Sequence, residues 1–261
     1  MRPVTLITGA SAGIGAELAR VFAAHGHELV LLARRERRLA ALAEEIAARG
    51  LTRPTVLAVD LEQRDAVAHI AAELKARDLE PANVVNNAGF GLLGPADALN
   101  REKELAMIDV NVRVLTELSL YFVDSLARHR GGILNVASVA AFLPGPGMAV
   151  YYASKAYVLS FSEALQRELS SRGVKVTALC PGPVPTEFQA RAGIPSGRPM
   201  DVLTLSAERV ARIGYRGFMR GKRVVIPGIG NQIVRFLVRF APHALLLVLI
   251  DQSGRNARRA S

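Results

Sequence analysis

Short apolar runs alternate with longer stretches of helical periodicity through most of the chain. The short runs are rich in Val, Leu and Ile and hold few charged residues, as is typical of strands buried on both faces. The longer stretches place an apolar residue at every third or fourth position. In residues 13–25, one helical face carries Ile14, Leu18, Val21 and Phe22. This alternation predicts an α/β fold.

The pattern predicts seven strands, at residues 4–8, 28–33, 55–59, 83–86, 132–137, 175–180 and 223–226. Helices are predicted over residues 13–25, 36–49, 64–77, 101–129, 150–171 and 207–219. Strands that are separated by helices form βαβ units, whose crossovers generate a parallel sheet. The predicted architecture is a Rossmann-type, doubly wound parallel sheet of about seven strands with helices on both faces.

No linker rich in Pro, Ser or Gly divides the chain, so we predict one structural unit. Residues 1–230 are expected to form the dinucleotide-binding and catalytic domain, and residues 231–261 an apolar and basic C-terminal extension of it. The Pro- and Gly-rich segment 181–199 is longer than an ordinary connection. We interpret it as a substrate loop or lid.

Composition favours a reducing, cytoplasmic setting. The single cysteine, Cys180, excludes an intramolecular disulfide and closes an apolar run, where a buried structural thiol is expected. The N-terminus enters the first strand without an apolar leader, so we expect no signal peptide. We assign no metal ligands.

The net charge of +10 is confined to the last part of the chain, where residues 191–261 hold 13 Lys and Arg against 3 Asp and Glu. Such an excess suits a solvated surface and tail, or a nucleic acid, an anionic lipid or an anionic substrate. No recognised nucleic-acid motif accompanies it, and we expect no nucleic-acid partner.

A glycine-rich turn follows the first strand and opens the first helix. Glycines there let backbone amides approach a pyrophosphate, whose charge the helix N-terminus stabilises. The spacing G-x-x-x-G-x-G differs from the standard G-x-G-x-x-G. The candidate contacts in this turn are Gly9, Ser11, Ala12, Gly13, Ile14 and Gly15.

The end of the second strand indicates which dinucleotide binds. An acidic residue there would hold a ribose hydroxyl, whereas an arginine pairs with the 2′-phosphate of NADP. The strand ends in Arg34 and Arg35, and we predict NADP(H). Arg37 and Arg38 are expected to belong only to the solvated start of the next helix. Later strand ends add the cofactor candidates Asp60, Leu61, Asn87, Ala88 and Gly89.

Tyr151 and Lys155 lie four residues apart at the start of a long helix and share one face. We expect the lysine ammonium, together with a positive nicotinamide, to lower the pKa of the phenol and make it a general acid or base. Ser138, after the fifth strand, is placed to hold a substrate carbonyl. Asn111 is a poor helix-interior residue, and we expect it to hold a water between itself and Lys155.

In these motifs the chain resembles the short-chain dehydrogenase/reductase family over roughly residues 3–228. The resemblance implies a catalytic tetrad of Asn111, Ser138, Tyr151 and Lys155, with Lys155 also on the nicotinamide ribose. It implies that a loop covers the nicotinamide, with contacts from Pro181, Gly182, Val184 and Thr186. It also implies a homodimer or homotetramer, assembled through the helices that begin near residues 101 and 150.

The implied reaction is hydride transfer between NADP(H) and a carbonyl or alcohol group, with Tyr151 as the proton donor. The NADPH preference favours reduction. The expected substrate is a hydrophobic ketone, aldehyde or 3-oxoacyl compound, because the candidate pocket positions are apolar. These positions are Phe90, Leu92, Leu93, Phe142, Leu143, Met148 and Phe188, beside Ser138.

Three alternatives remain open for the function: an epimerase or dehydratase that uses the same Tyr and Lys, a non-catalytic NADP-binding regulatory protein, and a nucleic-acid binder. Three also remain for residues 232–250, whose apolar character is interrupted by charged residues and by Pro242. This segment packs on the domain or a sister subunit, lies peripherally in a membrane surface, or covers the substrate pocket. Its uninterrupted apolar part, residues 244–250, is too short to span a bilayer.

Overall fold

Seven strands form one parallel sheet in a computed structural model that describes residues 1–194, 204–240 and 246–247. The strands are β1 (Arg2–Thr8), β2 (Leu29–Ala33), β3 (Thr55–Ala58), β4 (Leu79–Asn86), β5 (Gly132–Val136), β6 (Lys175–Leu179) and β7 (Val224–Val225). Their order is β3-β2-β1-β4-β5-β6-β7, and every neighbouring pair runs parallel. The predicted doubly wound α/β fold is confirmed.

Helices cover both faces of this sheet because consecutive strand residues point to opposite sides and both sides are apolar. On β1, for example, Ile7 packs with the helices at residues 13–24, 36–48 and 207–219, whereas Leu6 packs with those at residues 66–76, 114–121, 123–128 and 149–169. The α-helices of the described chain are α1 (Gly13–Ala24), α2 (Glu36–Ala48), α3 (Ala66–Ala76), α4 (Arg101–Ile108), α5 (Val114–Tyr121), α6 (Val123–Arg128), α7 (Ala149–Leu169), α8 (Glu187–Ala192), α9 (Ala207–Met219) and α10 (Ile229–Val238).

The order of the strands reverses between β1 and β4. From β1 the chain winds outward to β2 and β3, and it then returns to add β4 to β7 on the other side. Connections that leave in opposite directions open a crevice at the carboxyl ends of the two central strands, where ligands bind in open α/β sheets. This position brings the residues after β1, β4 and β5 to one edge.

The helix predicted over residues 101–129 is wrong as a single element. The structure divides it into α4, a π-helical turn (Asp109–Arg113), α5 and α6. The π turn carries the buried Asn111, whose side chain bonds to the backbone of Phe90 outside the helix. A widened turn re-aims a side chain without ending the helix, which periodicity alone does not reveal.

Strand β4 begins at Leu79, four residues before the predicted start, although it contains Pro81. The pairing of β1 with β4 shifts register between Val4 and Thr5, opposite this proline. Such an irregularity lets a residue without an N–H stay inside a sheet. The other predicted strands differ from the structure by one or two residues at their ends.

The predicted irregular segment 181–199 contains a short helix. Thr186 accepts a hydrogen bond from the amide of Phe188 at the start of α8, and Gly193, at φ 71°, ends it. Residues 195–199 of that segment lie outside the described residues. The helix α10 crosses the boundary suggested at residue 230. Of the segment 232–250, for which three interpretations were left open, residues 241–245 and 248–250 lie outside the described residues.

Candidate active site

The glycine-rich turn after β1 has a backbone that only glycine permits at three positions. Gly9 and Gly13 have φ values of 65° and 55°. A Cβ on Gly15 would lie 2.3 Å from Asn87 Nδ2 and 2.4 Å from the carbonyl oxygen of Gly9. Ala12, at the N-cap of α1, has no side chain to satisfy the first helix amides. These amides suit a pyrophosphate, so the turn fits a dinucleotide.

Two polar side chains brace the turn against β4. Asn87 Nδ2 donates to the carbonyl oxygens of Thr8 at 3.0 Å and of Gly9 at 3.2 Å. Thr8 Oγ1 accepts from the amides of Asn87 and Ala88, each at 3.0 Å. The ends of the two central strands are thereby tied together. Asn87 was a cofactor candidate from the sequence, whereas Thr8 was not, because a hydroxyl at the end of a strand carries no local signal.

Of the two arginines after β2, only Arg35 contacts the turn. Its Nε and Nη2 atoms donate to Ser11 Oγ at 3.1 and 2.9 Å. Arg34 is 61% exposed and pairs with Glu62 at 2.9 Å. The structure therefore joins Arg35, and not Arg34, to the glycine-rich turn, and the contact of these arginines with a 2′-phosphate stays a prediction.

A carboxylate from the other end of the chain lies beside Arg35. Glu187, the first residue of α8, accepts hydrogen bonds from Arg35, Arg38 and Arg191. Hydrogen bonds from Arg38 and then Arg35 lower the pKa of Glu187 to about 2. Arg38 lies in the exposed first turn of α2, as expected, and it also pairs with Glu187, which the loop after β6 brings to it. We call Arg35, Arg38 and Arg191 the arginine cluster.

Asp60 and Leu61 follow β3 next to the end of β2. Asp60 Oδ1 accepts from the amide of Glu62 at 3.1 Å, which shapes the turn, and Leu61 is buried. Both residues lie at the crevice side of the sheet, because Val59 still bonds to the carbonyl of Ala33. Their contact with an adenine remains a prediction.

At the opposite end of the crevice, Asn111 is fully buried, and both polar atoms of its side-chain amide form hydrogen bonds. Its Oδ1 accepts from the amide of Phe90 at 3.1 Å, and its Nδ2 donates to the carbonyl of Phe90 and to Ser154 Oγ, each at 3.0 Å. A Cβ on Gly89 would lie 2.8 Å from Asn111 Oδ1 and 3.4 Å from Lys155 Nζ. Gly89 therefore leaves the space between these two polar groups open, and the predicted water there stays a prediction.

Lys155 is the buried cation of this end, with 5% of its surface exposed. Its Nζ donates to the carbonyl oxygen of Val136, at the end of β5, at 2.9 Å. The same nitrogen lies 5.8 Å from the centre of the Tyr151 ring. Burial lowers the pKa of Lys155 to about 8. A lysine with this pKa exchanges protons close to neutral pH.

In the protein alone the pKa of Tyr151 is raised, and the lowering expected from Lys155 together with a positive nicotinamide stays a prediction. Burial raises it to about 12, and a hydrogen bond with Ser138 acts in the opposite direction. The predicted lowering relied on both the ammonium of Lys155 and a positive nicotinamide, and in the protein alone the ammonium donates to the carbonyl of Val136. In the protein alone, Tyr151 is therefore a protonated phenol at neutral pH.

Ser138 meets Tyr151 from the end of β5. Its Oγ accepts from the amide of Ala140 at 3.1 Å and so starts a 3₁₀ turn, Val139–Phe142. The hydroxyl also bonds to the Tyr151 phenol. The structure thus brings Ser138, Tyr151 and Lys155 to one end of the crevice, with Asn111 beneath them. This arrangement offers a carbonyl oxygen two hydroxyl groups at one place.

Apolar side chains from three segments surround Tyr151. The ring of Phe188 lies 5.3 Å from its ring, centre to centre. A Cβ on Gly91 would lie 3.0 to 3.1 Å from Phe188, Met148 and Tyr151. Phe142 instead stacks under the guanidinium of Arg235 at 5.2 Å. Phe90, Leu92, Leu93 and Leu143 are partly buried on the neighbouring loops.

The loop after β6 reaches from the catalytic end to the glycine-rich turn. The carbonyl of Pro181 accepts from Val139 at 2.9 Å, and Val184 is buried. Thr186 Cγ2 would lie 3.0 Å from a Cβ on Gly13, so the loop touches the turn directly. Asn231 of α10 is 2% exposed and fills the space beside Gly182. No sequence motif pointed to Asn231.

The outer face of α10 is apolar and exposed. The exposed fractions of Ile229, Ile233, Phe236, Leu237 and Phe240 range from 53% to 78%. Asn231, Val234 and Val238 face the domain instead. Among the described residues, no helix is both long enough and apolar enough to cross a membrane.

Comparisons with known proteins agree with this geometry. A family model for short chain dehydrogenases matches residues 3–194. The chain is similar to sulfoacetaldehyde reductase 2 of Chromohalobacter salexigens, with 39% identity over 191 residues, which is 72% of this chain and 75% of that protein. It is similar to an NADP-dependent 3-hydroxy acid dehydrogenase of Salmonella typhi, with 37% identity over 190 residues and the same two coverages, 72% and 75%.

Among solved structures, a short-chain dehydrogenase from Sphingobium yanoikuyae in complex with NADPH has the same fold. The two structures superpose with a TM-score of 0.79 at 33% sequence identity. The match covers 93% of this chain and 97% of that chain.

Proposed function

Because this chain belongs to the short-chain dehydrogenase family, we propose that it reduces a hydrophobic ketone, aldehyde or 3-oxoacyl compound with Tyr151 as the proton donor. The chain is an NADP(H)-dependent oxidoreductase. The observation that carries the proposal is that Tyr151 interacts with Ser138 and that its ring centre lies 5.8 Å from Nζ of the buried Lys155. These groups lie at the same sheet edge as the glycine-rich turn.

The proposed chemistry needs one proton and one hydride. NADPH, when bound, supplies the hydride to the carbonyl carbon. The hydroxyl of Ser138 donates a hydrogen bond that holds the carbonyl oxygen, and Tyr151 transfers its proton to that oxygen as the alcohol forms. Burial keeps Tyr151 protonated at neutral pH, which suits the reductive direction.

Lys155 and Asn111 serve the supply of a proton to Tyr151 and do not bind the carbonyl oxygen. Lys155, with a pKa of about 8, is placed to return a proton to Tyr151 after the transfer. Asn111 fixes the backbone of Phe90 and leaves the space over Gly89 open toward Lys155. Both residues belong to the catalytic tetrad that the family resemblance implies.

The apolar groups around Tyr151 support a hydrophobic substrate. Met148 and Phe188 come within van der Waals reach of the space over Gly91, directly beside the phenol. Apolar walls with few polar groups favour apolar ligands. Two relatives have names that point to acidic compounds, so a screen must include acidic carbonyl compounds as a comparison.

The experiment is a screen of apolar ketones, aldehydes and 3-oxoacyl thioesters, with acidic carbonyl compounds as the comparison, in which NADPH consumption is measured with the pure protein. Tyr151→Phe removes the proposed donor, and Tyr152→Phe, one residue away, is the matched control. We expect turnover of apolar compounds that disappears in Tyr151→Phe and persists in Tyr152→Phe. NADPH binding without turnover of any compound would favour the alternative, a non-catalytic NADP-binding regulatory protein.

We propose further that the protein is a homodimer or homotetramer assembled through α4, α5 and α7. The support is a group of exposed large apolar residues on these helices, Leu105, Ile108, Leu120, Tyr121 and Tyr157, each between 40% and 57% exposed. Leu105→Glu/Ile108→Glu is expected to lower the mass in light scattering to that of the monomer. An unchanged mass would show that this face is not the interface.

For α10, we propose that its exposed face lies on an anionic membrane surface. The apolar residues of this face follow one helical side, and the part of the chain that contains them carries the whole basic excess. Phe236→Ser/Phe240→Ser should abolish co-sedimentation with vesicles that contain phosphatidylglycerol, with Tyr121→Ser as a control on another exposed aromatic. Equal sedimentation of these proteins would contradict the membrane proposal and favour packing of α10 on a sister subunit.

A further inference from the structure

Glu187 is a single carboxylate among three guanidinium groups. Its Oε2 lies 2.7 Å from Arg35 Nη1 and 2.8 Å from Arg191 Nη2, and its Oε1 bonds to Arg38 Nη1. One negative charge does not neutralise three positive ones, so the arginine cluster keeps an excess of two positive charges. A cluster with this excess is suited to an anion of higher charge than a carboxylate.

The arginine cluster lies at the phosphate end of the cofactor crevice. Arg35 donates from Nε and Nη2 to Ser11 Oγ of the glycine-rich turn and from Nη1 to Glu187 Oε2. A cavity of about 540 Å³ opens here, lined by Ser11, Arg38 and Glu187. Ser11 and Arg35 follow β1 and β2, which is where a 2′-phosphate binds in this fold.

Glu187 also belongs to the loop that covers the crevice. It directly follows Thr186, which lies against Gly13, and it precedes Phe188, which packs on Tyr151. The ion pairs of Glu187 therefore tie α8 to α2, across 152 residues of sequence between Glu187 and Arg35. A ligand that takes these donors would release the N-terminal end of α8.

We propose that Glu187 is a cofactor-discriminating residue whose carboxylate occupies the arginine donors of the 2′-phosphate site and is displaced when NADP(H) binds. A phosphate monoester brings nearly two negative charges and three acceptor oxygens, against one charge and two oxygens from Glu187. NAD(H) has a hydroxyl at this position and leaves Glu187 in place. The 2′-phosphate thus binds the arginine donors and, by displacing Glu187, releases the N-terminal end of α8.

The state of Glu187 does not depend on pH in the working range. Hydrogen bonds from Arg38 and Arg35 lower its pKa to about 2, so the carboxylate is ionised at neutral pH. Displacement by charge, rather than protonation, is then the way to break its ion pairs. This inference concerns cofactor binding alone and does not depend on which carbonyl compound is reduced.

The first experiment uses adenosine 2′,5′-bisphosphate and adenosine 5′-monophosphate, which differ only in the 2′-phosphate. Their affinities for the full-length protein are measured by calorimetry, for the unsubstituted protein, Glu187→Gln and the control Glu45→Gln. Glu45 lines the same cavity but pairs with Arg20 and Arg49. Thermal melts confirm that each variant is folded.

We expect Glu187→Gln to bind the 2′,5′-bisphosphate about fivefold or more tightly than the unsubstituted protein does, since exposed ion pairs no longer have to be broken. Its affinity for the 5′-monophosphate should not change. Glu45→Gln should bind both ligands as the unsubstituted protein does. Equal or weaker binding of the bisphosphate by Glu187→Gln would overturn the proposal.

A second measurement tests the release of α8 by hydrogen exchange of residues 187–192. The 2′,5′-bisphosphate should speed exchange in the unsubstituted protein, and the 5′-monophosphate should not. Glu187→Gln should exchange at the faster rate without ligand. An exchange rate of residues 187–192 that the bisphosphate does not change would refute the release of α8. Failure of the bisphosphate to bind the unsubstituted protein would instead refute the NADP(H) assignment itself.

Discussion

The two ends of the cofactor crevice have opposite physical character. At the catalytic end, Asn111 and Lys155 are at most 5% exposed, and burial is the largest cause of the pKa shifts of Lys155 and Tyr151. At the phosphate end, the side chains of Arg35, Arg38 and Glu187 are 30% to 52% exposed, and the partner charges shift the pKa of Glu187. One end works by desolvation and the other by concentrated charge.

This difference implies that the two ends respond to different perturbations. Desolvated groups are sensitive to pH and packing but little affected by salt, because solvent ions do not reach them. Exposed charges behave in the opposite way. Substitutions at one end should therefore leave the function of the other end intact.

The largest expected effect is at the catalytic end. Tyr151→Phe removes the proton that the phenol donates and should lower turnover about 10²- to 10⁴-fold. The affinity for NADPH, measured by nicotinamide fluorescence, should stay close to that of the unsubstituted protein. A parallel loss of NADPH affinity would mean that the two ends are coupled.

Lys155→Met should lower turnover and at the same time stabilise the fold. Burial lowers the pKa of Lys155 from 10.5 to about 8, so the folded state disfavours the charged amine. At pH 7 the substitution should raise the free energy of unfolding by about 2 kcal/mol, after the loss of the hydrogen bond to Val136. Denaturant unfolding measures this change.

The pH dependence gives the sign of this effect. Between pH 8 and about 10.5 the unfolded chain keeps a proton that folded Lys155 has lost, so the stability of the unsubstituted protein rises with pH in this window. The advantage of Lys155→Met should therefore shrink as the pH rises and vanish before pH 10.5, because the lost hydrogen bond to Val136 then outweighs the remaining cost of burying the charge. The raised pKa of Tyr151 lowers stability above pH 10 in both proteins and cancels in the difference. If the difference in the free energy of unfolding between Lys155→Met and the unsubstituted protein stays constant across this window, the account is contradicted.

The smallest expected effect is that of salt on the phosphate end. Raising the ionic strength from low to physiological should weaken NADPH binding roughly threefold, because Arg35 and Arg38 are screened. NADH binding should change less, since NADH has no 2′-phosphate. Salt effects of equal size on the two cofactors would place the arginine cluster away from the 2′-phosphate.

Much of this arrangement could be predicted from the sequence, because local patterns carried it. Alternating periodicity located the strands, and parallel strands necessarily bring the turns after β1 and β4 to one edge. The spacing of Tyr151 and Lys155 placed both on one helical face. The glycines at positions 9, 13 and 15 predicted a turn whose backbone other residues cannot adopt.

The rest depends on packing between distant segments. The π turn at Asn111 adds one residue to a helical turn and leaves the apolar periodicity unchanged. The pairing of Glu187 with Arg35 joins residues 152 positions apart, for which no local pattern exists. The raised pKa of Tyr151 follows from burial, which becomes known only when Phe188 and the loops around it are placed.

The most direct test of the account is a titration with NADPH and with NADH, followed by nicotinamide fluorescence, for the unsubstituted protein and Arg35→Ala. We expect NADPH to bind at least about tenfold more tightly than NADH, as a charge-assisted contact to phosphate would give. That preference should vanish in Arg35→Ala, with NADH binding unchanged. Equal affinities in the unsubstituted protein, or a preference for NADH, would contradict the assignment of the phosphate end.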